Sequence, residues 1–154
     1  MKLGFLASHG GSNMQAILDR CRDGSISATP ALLICNNPNA KAVERAQLAG
    51  IPTRILNGKS HPDPDALDNA ILNTLRNARV DLIVLAGFMK KIGPRTMAAF
   101  RNRIVNIHPS LLPKHGGKGM YGLRVHEAAL DSGETETGAT VHLIGSAYDE
   151  GPIL

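Results

Sequence analysis

The sequence predicts an α/β protein: a mostly parallel sheet with helices on both faces. Short apolar runs of strand length alternate along the chain with stretches whose apolar residues recur at helical spacing. Asp81-Leu82-Ile83-Val84-Leu85-Ala86 is nearly continuous in apolar residues, as a strand covered on both faces must be. Glycine, proline and asparagine separate these segments, and the alternation calls for right-handed crossovers.

The first strand is read over Lys2 to Ser8, ending in the turn His9-Gly10-Gly11. Met14, Ile17, Leu18 and Cys21 then form one stripe of a helix, with Ser12 and Gln15 at capping-box spacing. Strand two runs from Ala31 to Cys35, and Asn39 is placed to cap a second helix ending at Ala49, before Gly50 and Pro52. Thr53 to Leu56 is a short third strand, and Asn57 to Asp65 a loop expected to be the most mobile stretch. Asp63-Pro64 opens a helix whose inner face is Leu67, Ala70, Ile71, Thr74, Leu75 and Ala78. After Asp81 to Ala86, Pro94 begins a short helix to Phe100, and Arg103 to His108 is the next strand. A glycine-rich loop, Gly116 to Gly122, leads to a helix over Leu123 to Ser132 and a strand over Ala139 to Ile144. No repeat or internal boundary is evident, so residues 1–154 read as a single domain.

Composition narrows the function classes. Hydrophobic residues make up 43% and charged residues 19%, the balance of a soluble globular protein. The net charge of +4 is mild, Lys90-Lys91 is the only adjacent basic pair, and aromatics are 3% with no Trp. Neither a basic stripe nor a stacking platform for bases is present, so no nucleic acid is expected. A weakly positive site for a small anion fits better. Cys21 and Cys35 are too few and too far apart for a disulfide framework or a CxxC motif. Without a signal peptide or a run of membrane-spanning length, no membrane partner is expected and the chain is placed in the cytoplasm.

Four constellations carry chemistry. In Gly10-Gly11-Ser12-Asn13, glycines at a helix N-terminus let backbone N–H groups meet an anion such as phosphate. By itself this run reads first as a turn with Ser12 as a cap. Asn106 and His108, two residues apart on a strand that Pro109 terminates, share one face and arrive together at the sheet's ligand-binding edge. An amide can donate to an oxygen gaining charge, and an imidazole can move a proton near neutral pH. The same pair reads equally as a buried histidine bonded to backbone and an asparagine closing a turn. Asp149 lies in Ala147-Tyr148-Asp149-Glu150-Gly151-Pro152, which on composition alone is a turn. Brought near His108, its carboxylate would favour the imidazolium and orient the ring. Gly87-Phe88-Met89-Lys90-Lys91-Ile92-Gly93 follows the strongest strand and suits either core filling or a loop gripping a flat ring system. His142 reads as core or site. The histidines lack metal-binding spacing, and neither a GxSxG elbow nor an activated cysteine is present, so metal and covalent catalysis are not expected.

Gly11-Ser12-Asn13, Val84-Leu85-Ala86-Gly87-Phe88-Met89, Asn106-Ile107-His108-Pro109-Ser110-Leu111-Leu112-Pro113 and the segment Gly138 to Leu154 together resemble the folate-dependent formyltransferases, in that family's order. Within the family the likeness is to members acting on glycinamide ribonucleotide. The resemblance implies a Rossmann-like formyltransferase fold, C-terminally short here because members continue past Gly-Pro-Ile-Leu with another strand and helix. It implies formyl transfer from 10-formyltetrahydrofolate to the ribonucleotide's amine, with Asn106, His108 and Asp149 catalytic. Gly11, Ser12 and Asn13 would bind the phosphate, and Met89, Lys90, Lys91 and Ile92, with Asn106, the folate. An arginine that members carry before the third helix is not evident within His61 to Asp65. A 10-formyltetrahydrofolate hydrolase, with water as acceptor, or a folate- or phosphate-binding module without turnover are the alternatives. Oligomeric state, monomer or homodimer, is left open.

Overall fold

Four of the apolar runs lie side by side in the first of two units, Met1–Ile104. They are β1 (Lys2–Ala7), β2 (Thr29–Cys35), β3 (Thr53–Ile55) and β4 (Leu82–Leu85), all parallel, in the order β3-β2-β1-β4. The computed structural model describes residues 1–145, 149 and 151–154. In β1 every residue after Lys2 is buried, which is why these strands show no polar alternation. Strand β2 starts two residues earlier than expected. Thr29 N donates to Met1 O at 2.9 Å, and Pro30 is tolerated opposite Leu3, beside a register shift between Leu3 and Gly4.

The connecting helices are α1 (Ser12–Arg22), α2 (Lys41–Leu48), α3 (Pro64–Asn77) and α4 (Pro94–Ala99). Right-handed crossovers that run outward from β1 to β3 and then return to β4 put α1 and α2 on one face and α3 on the other. Accordingly α1 packs with α2, and α3 with α4. Two expected caps are corrected. Gly11, in the left-handed region at φ 68°, is the N-cap of α1, leaving Ser12 as its first residue, while the Gln15 side chain bonds Asp19 and Arg45. Helix α2 is capped at Ala40, and Asn39 instead donates its N–H to Asn37 Oδ1. Asp63 does cap α3, accepting from Asp65 N and Ala66 N. The 57–65 loop is organised by Asn57, whose Oδ1 accepts from Lys59 N and Ser60 N and whose amide donates to Asn36 O.

The buried stripe of α3 is Asp68, Ile71, Leu72 and Leu75, so the stripe includes Asp68 where the sequence reading had Leu67. Burying an aliphatic side chain contributes about 1.5–3 kcal/mol, whereas a carboxylate in the same stripe is costly unless hydrogen-bonded. Asp68 is bonded, to the start of α4. The sheet's strand order reverses between β1 and β4, and their carboxyl ends are tied together. Ser8 N donates to Gly87 O at 3.1 Å and Met89 N to Ser8 Oγ at 2.8 Å. In open α/β sheets this reversal is where ligands bind.

The second unit, Val105–Leu154, holds β5 (Ile104–His108, its first residue the last of the first unit), α5 (Leu123–Asp131) and β6 (Thr140–Leu143). Strands β5 and β6 are antiparallel, pairing Asn106 with His142 and His108 with Thr140. The chain end holds β6 as well: His142 bridges Ile153, Leu143 N donates to Pro152 O at 2.9 Å, and Leu154 N to Val141 O at 3.0 Å. Of the turn expected over 147–152, Asp149, Gly151 and Pro152 are described, while Ala147, Tyr148 and Glu150 lie outside the described residues.

Gly11 is required by its backbone and its neighbours: an added Cβ would stand 2.7 Å from Ala42 Cβ at φ +68°. Gly11→Ala is expected to lower unfolding stability by about 1–3 kcal/mol in urea titration. Gly10→Ala, where no described atom lies within 4 Å of the added carbon, should leave the midpoint unchanged.

Candidate functional site

In the first unit the turn after β1 is built to present backbone N–H groups. The first intrahelical bond of α1 runs from Gln15 N to Gly11 O at 2.9 Å, so the N–H groups of Ser12, Asn13 and Met14 precede any intrahelical acceptor. Ser12 and Asn13 are exposed and Gly11 is buried. Arg45 holds the turn, donating from Nε to Gly10 O at 3.0 Å and from Nη1 to Gln15 Oε1 at 3.3 Å. After β4, Met89, Lys90 and Lys91 are exposed, while Ile92 is buried at 7% and offers only its backbone to a ligand.

In the second unit β5 and β6 deliver four polar side chains. Asn106 and His108 stand two residues apart, and Thr140 and His142 face them across the ladder. Asn106 Nδ2 lies 3.0 Å from His142 Nε2. Asp149, at φ 57°, places one carboxylate oxygen 3.5 Å from His108 Nδ1 and the other 3.5 Å from His142 Nε2. Gly117 N donates to the carboxylate at 2.9 Å. The imidazole contacts are longer than strong hydrogen bonds, the loose geometry common in a site without its ligand. The side chains of His108, His142 and Asp149 are 4%, 1% and 12% exposed, so little water screens them.

His108 has oxygen on both sides, because its Nε2 lies 2.8 Å from the His115 carbonyl. Only the doubly protonated ring satisfies both oxygens. His142 Nδ1 lies 3.0 Å from Leu143 O, which leaves Nε2 to accept from the Asn106 amide. The cluster therefore sets an amide donor beside an imidazole at the end of one strand.

The loop after β5 is anchored by the same pair of strands. Thr140 Oγ1 donates to Ser110 O at 2.6 Å and accepts from Leu112 N at 2.9 Å, and Ser110 Oγ donates to Lys114 O at 2.6 Å. Lys114 Nζ donates to Glu134 at 2.8 Å, a bond that holds the Glu134 carboxyl below its usual pKa. His115, at φ 54°, turns its carbonyl to His108.

Residues 1–154 match the family model described as formyl transferase over their whole length. The chain belongs to the formyl transferase family. Among curated members it is 40% identical over 154 residues to a chloroplastic phosphoribosylglycinamide formyltransferase of Arabidopsis thaliana, covering 99% of this chain and 53% of that protein. A phosphoribosylglycinamide formyltransferase of Haemophilus influenzae is 39% identical, across 99% of this chain and 70% of that one. The crystal structure of glycinamide ribonucleotide transformylase 1 from Symbiobacterium toebii superposes with a TM-score of 0.92 at 40% identity, covering all of this chain and 70% of that one. The chain thus spans about half the length of the Arabidopsis relative. The Rossmann-like formyltransferase fold expected from the sequence is the fold observed.

Asn106, His108 and Asp149 converge in this member of the family. Sequence reasoning left His142 undecided and missed Thr140, the His115 carbonyl and Gly117 N. One signal was available: Thr140-Val141-His142 repeats the polar–apolar–polar pattern of Asn106-Ile107-His108. Among the described residues no helix is long and apolar enough to cross a membrane.

Thr140→Val keeps the side chain's shape but removes both hydroxyl bonds, leaving the Leu112 N–H and Ser110 carbonyl unpaired. A loss of about 1–3 kcal/mol is expected from urea unfolding, with no change for Val141→Thr, whose side chain is 41% exposed.

Proposed function

We propose that the chain transfers the formyl group of 10-formyltetrahydrofolate to the primary amine of glycinamide ribonucleotide, a step of purine biosynthesis. The observation that supports it best is the convergence of an amide, an imidazole and a carboxylate at the end of β5, in a chain whose relatives are named for this reaction.

The amine nitrogen attacks the formyl carbon, and the carbonyl electron pair moves to oxygen. Asn106 Nδ2–H donates to that oxyanion, and His108 joins it once its Nε2–H leaves the His115 carbonyl for the ligand. The intermediate collapses by breaking the bond to N10 of the folate. The nitrogen that attacked gives up one proton and N10 gains one, so a single imidazole can serve both transfers. Asp149 orients the ring while it gives up and regains the proton. Gly11, Ser12 and Asn13 bind the ribonucleotide phosphate through the first-turn N–H groups of α1. Met89, Lys90, Lys91 and the backbone of Ile92, with Asn106, take the folate. Free Cys21 and Cys35, the latter with its thiol pushed up by burial, suit the reducing cytoplasm.

An absorbance assay with 10-formyltetrahydrofolate, with and without glycinamide ribonucleotide, tests the reading. Turnover that requires the ribonucleotide supports it; equal turnover without it selects the hydrolase; silence in both selects a binding module. His108→Ala should cut turnover by roughly a hundredfold or more while folate binding persists.

A further inference from the structure

We infer that Asp68 and Ser8 are positioning residues for the Met89–Ile92 wall, setting its fit to the formyl folate without touching it. This rests on the folate role proposed for that segment. Both side chains are buried polar groups, 3% and 2% exposed. Ser8 grips the start of the segment: its N–H donates to Gly87 O at 3.1 Å and its hydroxyl accepts from Met89 N at 2.8 Å. Asp68 grips the end from another helix. Its Oδ2 accepts from Arg95 N at 2.8 Å, and its Oδ1 from Thr96 N at 3.2 Å and Thr96 Oγ1 at 2.6 Å.

Asp68 thereby acts as the cap of α4, whose own N-cap position is Gly93 and has no side chain to offer. A six-residue helix cannot hold its own first turn in place. Where the carboxylate sits therefore decides where α4 begins, and so where the preceding loop ends. Gly93 is fitted to this arrangement, since a Cβ there would collide with the carboxyl and lie 2.6 Å from Asp68 Cβ. Its φ of −72° suits any residue, so the glycine answers to the carboxylate and not to the backbone. Both carboxylate oxygens accept, so an asparagine, whichever way its amide is turned, sets an NH2 group against a helix N–H or the Thr96 hydroxyl.

The test is steady-state kinetics on the full chain, varying each substrate with the other saturating, below the thermal midpoint of every variant. Asp68→Asn should raise KM for 10-formyltetrahydrofolate roughly tenfold, with KM for glycinamide ribonucleotide and kcat within about twofold. Ser8→Ala and Gly93→Ala, which loosen the same wall without removing a charge, should move the same constant in the same direction. They carry the test if Asp68→Asn does not fold. A lower thermal midpoint with all three folate KM values unchanged would show a purely structural clamp and overturn the inference. A wild-type chain that neither binds nor turns over the formyl folate overturns the functional reading, and this inference with it.

Discussion

One carboxylate standing between two imidazoles organises the second unit. Asp149 reaches His108 with one oxygen and His142 with the other, at 3.5 Å each. A carboxylate this enclosed is unfavourable without partners, and the Gly117 N–H together with the His108 ring supplies them. The arrangement constrains everything around it. His142 must sit opposite Asn106, which fixes the β5–β6 register, and β6 must be held on its far side, which Ile153 and Pro152 do. A slip of one residue would turn both His108 and Asn106 away from their partners.

For the proposed substrates the first unit would meet a different demand with less chemistry. A phosphate needs donors more than it needs a countercharge, and the first turn of a helix provides them from the backbone. Under the proposed function a glycine turn with exposed Ser12 and Asn13 would suffice, with Arg45 left to hold Gly10 in place. On the same reading the flat folate ring would need shape, which buried anchors at the two ends of a loop can set.

The strands were legible because burial on both faces leaves a nearly unbroken apolar run, as in Leu82–Leu85. Helix positions followed from their apolar stripes. The caps were less legible: Ser12 has the right spacing, but close contact with Ala42 selected Gly11 at φ 68° instead. Asp68 was missed because a carboxylate in an apolar stripe reads as a break in the pattern, although it sits at helical spacing with Ile71, Leu72 and Leu75. That Asn106 and His108 share one face could be read from two-residue periodicity alone. His142 could not, because its partner depends on the register of two strands. Asp149 was suggested by resemblance, while composition favoured a plain turn. It does occupy a left-handed conformation, at φ 57°, and from there it reaches His108.

The central claim is that Asp149 acts through the imidazoles it holds. A double-mutant cycle on kcat/KM with Asp149→Asn and His108→Ala measures this directly. Residues working as one unit give overlapping losses, so Asp149→Asn should cost at most about threefold more once His108 is gone. If the two losses instead multiply in full, the carboxylate acts independently of the ring and the account is wrong.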